Sequence, residues 1–207
     1  MTNDRGRAPP GSVPGWAVAA SAAALIVLQA CVLHGMGQPL IAASGRILLW
    51  VGDPFSPETS QQLTDWYSFS HVIHGFIFFA LLRLAAPRRS LGLRLLAAMA
   101  VEIAWEFTEN SPPVIHHYRQ QALAVGYVGD SILNSVSDTF MMGFGFFAAS
   151  RLRARTVIVL AVGFELFTAY AIRDNLTLNV INLIAPPDWR PIRAIHDWQA
   201  SGQRPPR

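Results

Sequence analysis

The chain has 207 residues, of which 52% are hydrophobic and 14% charged, well below the roughly 25% charged residues of a soluble domain. Its formal charge is +3, and all 16 basic residues are arginines scattered along the chain, which argues against a nucleic-acid partner. The single cysteine, Cys31, excludes an intrachain disulfide.

In chain order, residues 1–13 ("MTNDRGRAPPGSV") read as a disordered polar tail. The apolar run Pro14–His34 follows a basic segment, as a signal peptide would. It is longer than the roughly 7–15 residues of a typical signal core, so it is read as an uncleaved first helix. Four more apolar runs follow at Ser68–Ala86, Leu91–Thr108, Ser131–Ser150 and Thr156–Ile172. Each approaches the roughly 17–25 residues that cross a bilayer. Ile47–Val51 and Leu176–Ala185 are too short to span and read as interfacial pieces. The closing "QRPPR" reads as disordered. The expectation is an all-α, polytopic membrane bundle of about five transmembrane helices forming a single membrane domain over residues 1–207.

Arginine placement orients this bundle. Arg5 and Arg7, then Arg88, Arg89 and Arg94, then Arg151, Arg153 and Arg155 fall on one side of a five-span topology, and the positive-inside rule makes that side cytoplasmic. The N-terminus is then cytoplasmic, and residues 173–207 form a periplasmic tail. Trp50, Trp66, Trp189 and Trp198 gather on the periplasmic side as an aromatic belt.

Polar residues inside the runs converge on that side. His71 and His74 stand at i, i+3 in "DWYSFSHVIHG", one face of a helix. Glu102, Glu106 and Glu109 stand at i, i+4, i+7 in "VEIAWEFTEN", again a narrow arc. Asp130, Asn134 and Asp138 follow at i, i+4, i+8, with Ser131 and Ser135 alongside, and Glu165 lies about two turns inside the last run. An acid at a helix centre costs roughly 2.5–3.5 kcal/mol on insertion scales, against a return of about 0.3–0.6 per Leu or Ile. Leu91–Thr108 holds five such residues, too few to offset two glutamates. These acids are therefore expected to face the bundle interior or a wet cavity. Carboxylates and imidazoles on facing helices also match the donor set of a divalent metal ion. The candidate ligands are Glu102, Glu106, Asp138, His71 and His74.

The bland readings stand beside these. The glutamate row, Asn134 and Asp138 also fit a polar network gluing helices together, and His71 and His74 fit plain hydrogen bonding at a helix start. His116 and His117 in "SPPVIHHYRQQ" read as a solvated loop. Phe76, Phe78, Phe79, Phe140, Phe144, Phe146 and Phe147 read as core or lipid-facing, and Gly143, Gly145, Ala148 and Ala149 as small residues allowing close helix approach.

The segments "SPETSQQLTDWYSFSHVIHGFIFF", "EIAWEFTENSPPVIHHYR", "GYVGDSILNSVSDTFMMGFGFF" and "RDNLTLNVINLI" resemble an uncharacterised family of bacterial, mostly alphaproteobacterial, multi-pass inner-membrane proteins. A looser likeness in pattern points to the VanZ-like envelope proteins. The resemblance implies a multi-pass location in the inner membrane and no particular activity. Within it, Gln62 occupies a polar position often held by His.

The leading expectation is a site in the periplasmic half acting on an envelope lipid or polyprenyl-linked substrate, with membrane lipid as the partner. Glu106, Asp138 and His74 are the candidate catalytic groups. Asn110, Arg119 and Asn134 are the candidate contacts to an anionic headgroup. Two other classes remain open: a proton- or cation-coupled carrier, and a non-catalytic membrane assembly protein.

Overall fold

The structure is a computed structural model that describes residues 13–119, 126–185 and 189–201. The expected disorder of 1–13 and of "QRPPR" falls almost wholly outside these residues. Among the described residues there are eight helices and no strand. Helices α1 (Gly15–Gly35), α2 (Ser68–Ala85), α3 (Leu91–Glu109), α5 (Ile132–Arg151) and α6 (Ala154–Ile172) occupy the five apolar runs. Between and after them lie α4 (Pro112–Tyr118), α7 (Leu176–Ile184) and α8 (Arg190–Ala200).

Local chemistry sets the helix ends. The Ser90 hydroxyl accepts from the Leu93 amide and opens α3; the Ser131 hydroxyl accepts from the Asn134 amide and opens α5. Both take up an amide that the helix itself leaves unpaired. Arg173 adopts a left-handed backbone, φ 59°, and ends α6. The stretch read as a loop and the region read as an interfacial piece and tail are both helical. "PPVIHHY" forms α4, with proline where a helix start tolerates it, and the region after residue 173 carries α7 and α8.

Helices α2 and α5 form the central seam. Gly75 and Gly145 put backbone against backbone there: a Cβ on Gly75 would lie 2.1 Å from the Met142 carbonyl oxygen, and one on Gly145 would lie 2.1 Å from that of Val72. Gly143, by contrast, faces open space. Of the two glycines expected to allow close approach, only Gly145 does so. Val72, Phe76, Phe79, Ala98, Met99, Met142, Phe146 and Ala149 fill the core beside the seam. Helix α3 packs against α1, α2 and α5, and α6 against α2.

Among the described residues, three helices, α1, α2 and α6, are long and apolar enough to cross a membrane. At about 1.5 Å per residue, the 21 residues of α1 match a hydrocarbon core of about 30 Å. Phe140, Phe144 and Phe147 on α5, and Ile158, Val159, Val162, Leu166 and Phe167 on α6, point outward and exposed. So broad an apolar exterior fits a helical membrane protein.

Residues 36–67 are irregular and fold over the end of the bundle where α2 and α5 begin. Ile47–Val51 is part of this cover: Leu63 N donates to Leu48 O and Val51 N to Thr64 O. Gln62 ties the cover together. Its Oε1 accepts from Leu48 N at 2.7 Å, and its amide group donates to Arg46 O at 3.0 Å and to Glu58.

Candidate functional site

His71, His74, Glu102, Glu106 and Asp138 meet beneath this cover. His71 and His74 occupy the first two turns of α2, Glu102 and Glu106 the last two turns of α3, and Asp138 the second turn of α5. His71 Nδ1 lies 2.5 Å from Glu102 Oε1 and 3.6 Å from Glu106 Oε1, while its Nε2 faces Asp138 Oδ2 at 3.7 Å. His74 Nδ1 lies 3.0 Å from Glu102 Oε2. The Ser68 hydroxyl donates to Asp138 Oδ1 at 3.2 Å. Glu102, Glu106, Asp138 and His71 are all buried, and Glu109 is half-buried at the rim.

Glu106 is the exception in an otherwise bonded cluster. Its Oε2 accepts from the Ser135 hydroxyl at 2.5 Å, while its Oε1 is buried with no hydrogen-bond partner. Behind Ser135 stands Gln29 of α1, fully buried. Its Nε2 donates to the Ser135 carbonyl at 3.0 Å and hydroxyl at 2.9 Å, and its Oε1 accepts from the Thr139 hydroxyl at 3.0 Å. The run Gln29–Ser135–Glu106 thus fixes the carboxylate from α1 through α5. Sequence reasoning missed Gln29, although an amide inside a 21-residue apolar helix is itself a signal, because such a group needs a partner in a dry interior.

The three residues expected to contact a headgroup lie apart from this cluster. Asn110 is committed to the fold: its Nδ2 donates to Asp130 Oδ2 at 2.7 Å and to Glu106 O at 3.0 Å, and its Oδ1 accepts from Asp130 N at 2.7 Å. Asn134 Nδ2 donates to Gln62 O at 2.8 Å. Both ends of the Asn110 amide are thus engaged within the fold, as is the Asn134 Nδ2. Arg119 is exposed at the end of α4 and donates to Tyr127 O. Glu165 also departs from its expected place. It accepts from Leu176 N at 3.0 Å and Thr177 N at 3.1 Å, capping α7 instead of joining the cluster. His117, expected in a loop, lies on α4, and its Nε2 meets Asn182 O of α7 at 2.8 Å.

Buried acids in the cover and the connections surround the site. Burial pushes the Asp130 carboxyl up to about 6, against the bonds from Tyr127 and Asn110. Burial likewise raises Asp174 to about 7, against bonds from Asn175 N and the Tyr67 hydroxyl, and raises Asp65. In each case the loss of solvent around the charged form outweighs the hydrogen bonds that favour it. Gly129 permits the tight turn before α5. Its φ is +94°, and a Cβ there would sit 2.5 Å from Gln38 Nε2 and 2.8 Å from Asn110 Oδ1.

Residues 33–201 match the family described as "Protein of unknown function (DUF2585)". The chain belongs to this family. It is 52% identical over 188 residues to a UPF0314 protein of Sphingopyxis alaskensis, covering 91% of this chain and 96% of the relative. It is 47% identical to one of Rhizobium johnstonii, covering 85% and 88%, and 45% identical to one of Paracoccus denitrificans, covering 92% and 94%. All three organisms are alphaproteobacteria. No solved structure matches. The match takes in every residue of the buried cluster except Gln29.

Proposed function

We propose that the chain is a multi-pass protein of the bacterial inner membrane, a single domain of five spans with the N-terminus cytoplasmic. In this reading the His71 cluster is a general acid–base site acting on a membrane lipid or polyprenyl-linked substrate from the periplasmic half. The unpartnered Glu106 Oε1, set beside His71 in a buried cluster, carries the reading. A carboxylate oxygen left without a donor in the interior costs stability, and a base awaiting a substrate proton would be built this way.

Depth supports the substrate class. At about 1.5 Å per residue, His71 and Glu106 lie about 5 Å from the start of α2 and the end of α3, near one edge of a hydrocarbon core of about 30 Å and close to the headgroup boundary. The arginines of the connections Ala86–Ser90 and Leu152–Arg153 lie at the opposite end, which supports the orientation. Glu106 would take the proton, and His71 with Asp138 would pass it on. His74, held by Glu102, would be the second proton carrier. Arg119, at the exposed end of α4, remains a candidate headgroup contact.

A carrier would need a polar path through the other half of the bundle. Phe76, Phe79, Ala98, Met99, Met142 and Phe146 fill that half, which disfavours a conducting role. The assembly reading differs in its consequence: substitutions would cost stability and nothing else. Strains carrying Glu106→Ala or Asp138→Ala decide between these. Altered growth or envelope lipid composition at wild-type protein levels is expected. Normal growth and lipids in both strains would sink the acid–base reading.

A further inference from the structure

We infer that the same cluster is a binding site for one divalent first-row transition metal ion. The ligands are His71 Nδ1, His74 Nδ1 and a Glu102 oxygen, which lie together, and Glu106 Oε1, which lies with His71 and Glu109 in a second group and turns towards the ion to join the first. The inference deepens the functional reading above and rests on it for the ion's role in chemistry.

Three observations carry it. The first is geometry: the donor atoms of His71, His74 and Glu102 all lie within 4.8 Å of one another. Bonds of about 2.0–2.2 Å to imidazole and carboxylate place neighbouring donors about 3.0–3.6 Å apart. The His74 Nδ1–Glu102 Oε2 separation is 3.0 Å and the His71 Nδ1–Glu106 Oε1 separation is 3.6 Å. The His71 Nδ1–Glu102 Oε1 separation, 2.5 Å, is a hydrogen bond, and it opens when an ion takes the place of the shared proton. That proton moves from Nδ1 to Nε2 of the neutral imidazole, facing Asp138 Oδ2 at 3.7 Å. Asp138 then orients a ligating histidine from behind, as carboxylates commonly do at metal sites.

The second observation is Glu106 Oε1, 1% exposed as a residue and without a partner, pointing at the nitrogen that would ligate. The third is charge. Glu102, Glu106 and Asp138 surround His71, and among the described residues no arginine pairs with any of them. With the three carboxylates ionised and both histidines protonated the five groups sum to −1, an imbalance that a buried cluster supports poorly and that either a shared proton or a dication relieves. Two imidazoles with carboxylates select zinc, manganese or iron over magnesium or calcium, which prefer all-oxygen shells.

The test uses the full chain in detergent, stripped with chelator, equilibrated with Zn2+ or Mn2+ alone and measured for bound metal. Wild type should take up about one equivalent, and its melting temperature should rise with added ion. Glu106→Gln keeps an acceptor for Ser135, and His74→Asn keeps a polar group; both should bind at least about tenfold more weakly. Glu165→Gln, remote from the cluster, should bind as wild type does. Equal binding by the two ligand variants, or uptake of neither ion by the wild type, overturns the inference. A wild type that takes up no ion, with Glu106→Ala strains still altered in their lipids, removes the metal and leaves the acid–base reading. Stoichiometric metal with normal Glu106→Ala strains leaves a metal site and removes that reading.

Discussion

Alanine at Gly75 should push apart the seam on which the site depends. Its Cβ would stand 2.1 Å from the Met142 carbonyl oxygen, 2.5 Å from Phe146 N and 2.8 Å from Gly145 C. Carbon–heavy-atom contacts are most favourable near 3.5 Å, so the nearest gap is short by more than about 1 Å. All three atoms are backbone, and no side-chain rotation relieves the clash. Overpacking of this kind costs about 1–3 kcal/mol, with the rigid partner favouring the upper end. Alanine regains about 1 kcal/mol of helix propensity over glycine, which leaves a net loss of about 2 kcal/mol. At about 2–4 °C per kcal/mol for a chain of this size, the melting temperature of the purified protein should fall by about 4–8 °C. Gly143→Ala and Gly163→Ala supply the contrast, since an added Cβ meets nothing within 4 Å at either position. Those two should keep or raise the melting temperature. A Gly75→Ala protein that melts with or above wild type, while Gly143→Ala behaves the same way, would refute the close-seam argument.

Three further outcomes follow from the hydrogen bonds and burials. The Asp174 carboxyl, raised from 3.8 to about 7 by burial, keeps its proton in the folded chain after losing it in the unfolded one. Its stabilising contribution is therefore whole below about pH 4 and is lost as the pH rises through 7. Melts of Asp174→Asn should gain on wild type across that window, and a pH-independent offset would contradict this. Glu165→Ala uncaps α7 at Leu176 and Thr177, so amide exchange there should speed up, with a loss of about 1–2 kcal/mol. Gln29→Leu strands the acceptors and hydroxyls of Ser135 and Thr139. It should cost about 1–3 kcal/mol, and thermal melts showing no loss would remove Gln29 from the network.

Helix faces were legible because spacing alone determines them. The i, i+3 pair His71 and His74, the i, i+4 pair Glu102 and Glu106, and Asp138 on a third helix could point to one place only if their faces turned inward. The cost of leaving acids in hydrocarbon supplied that direction. Partners were not legible, because periodicity says which way a residue faces and nothing about what waits there. Glu165 shows the limit: the same cost argument turns it inward, yet the amides of Leu176 and Thr177 meet it first. Asn110 and Asn134 show it again, each drawn to a connection whose path no spacing rule gives.

The irregular cover was the least legible part, and the beginning of α5 explains why it takes the form it does. A helix that starts in the interior leaves its first amides without acceptors, and burying such groups unpaired is costly. Here Ile132 N donates to Pro39 O, Leu133 N to Leu40 O and Ser131 N to Ser60 O, while Asn134 N is capped by the Ser131 hydroxyl. The cover thus supplies from 36–67 the acceptors that solvent would supply at an exposed helix start. In doing so it covers the end of the bundle that holds Ser135, Glu106 and Asp138. A polar cluster this deep persists beside an apolar core because backbone carbonyls from a remote loop complete its roof. Loosening the roof at Gln62, which binds Leu48, Arg46 and Glu58 together, would wet the cluster before it unfolded the bundle.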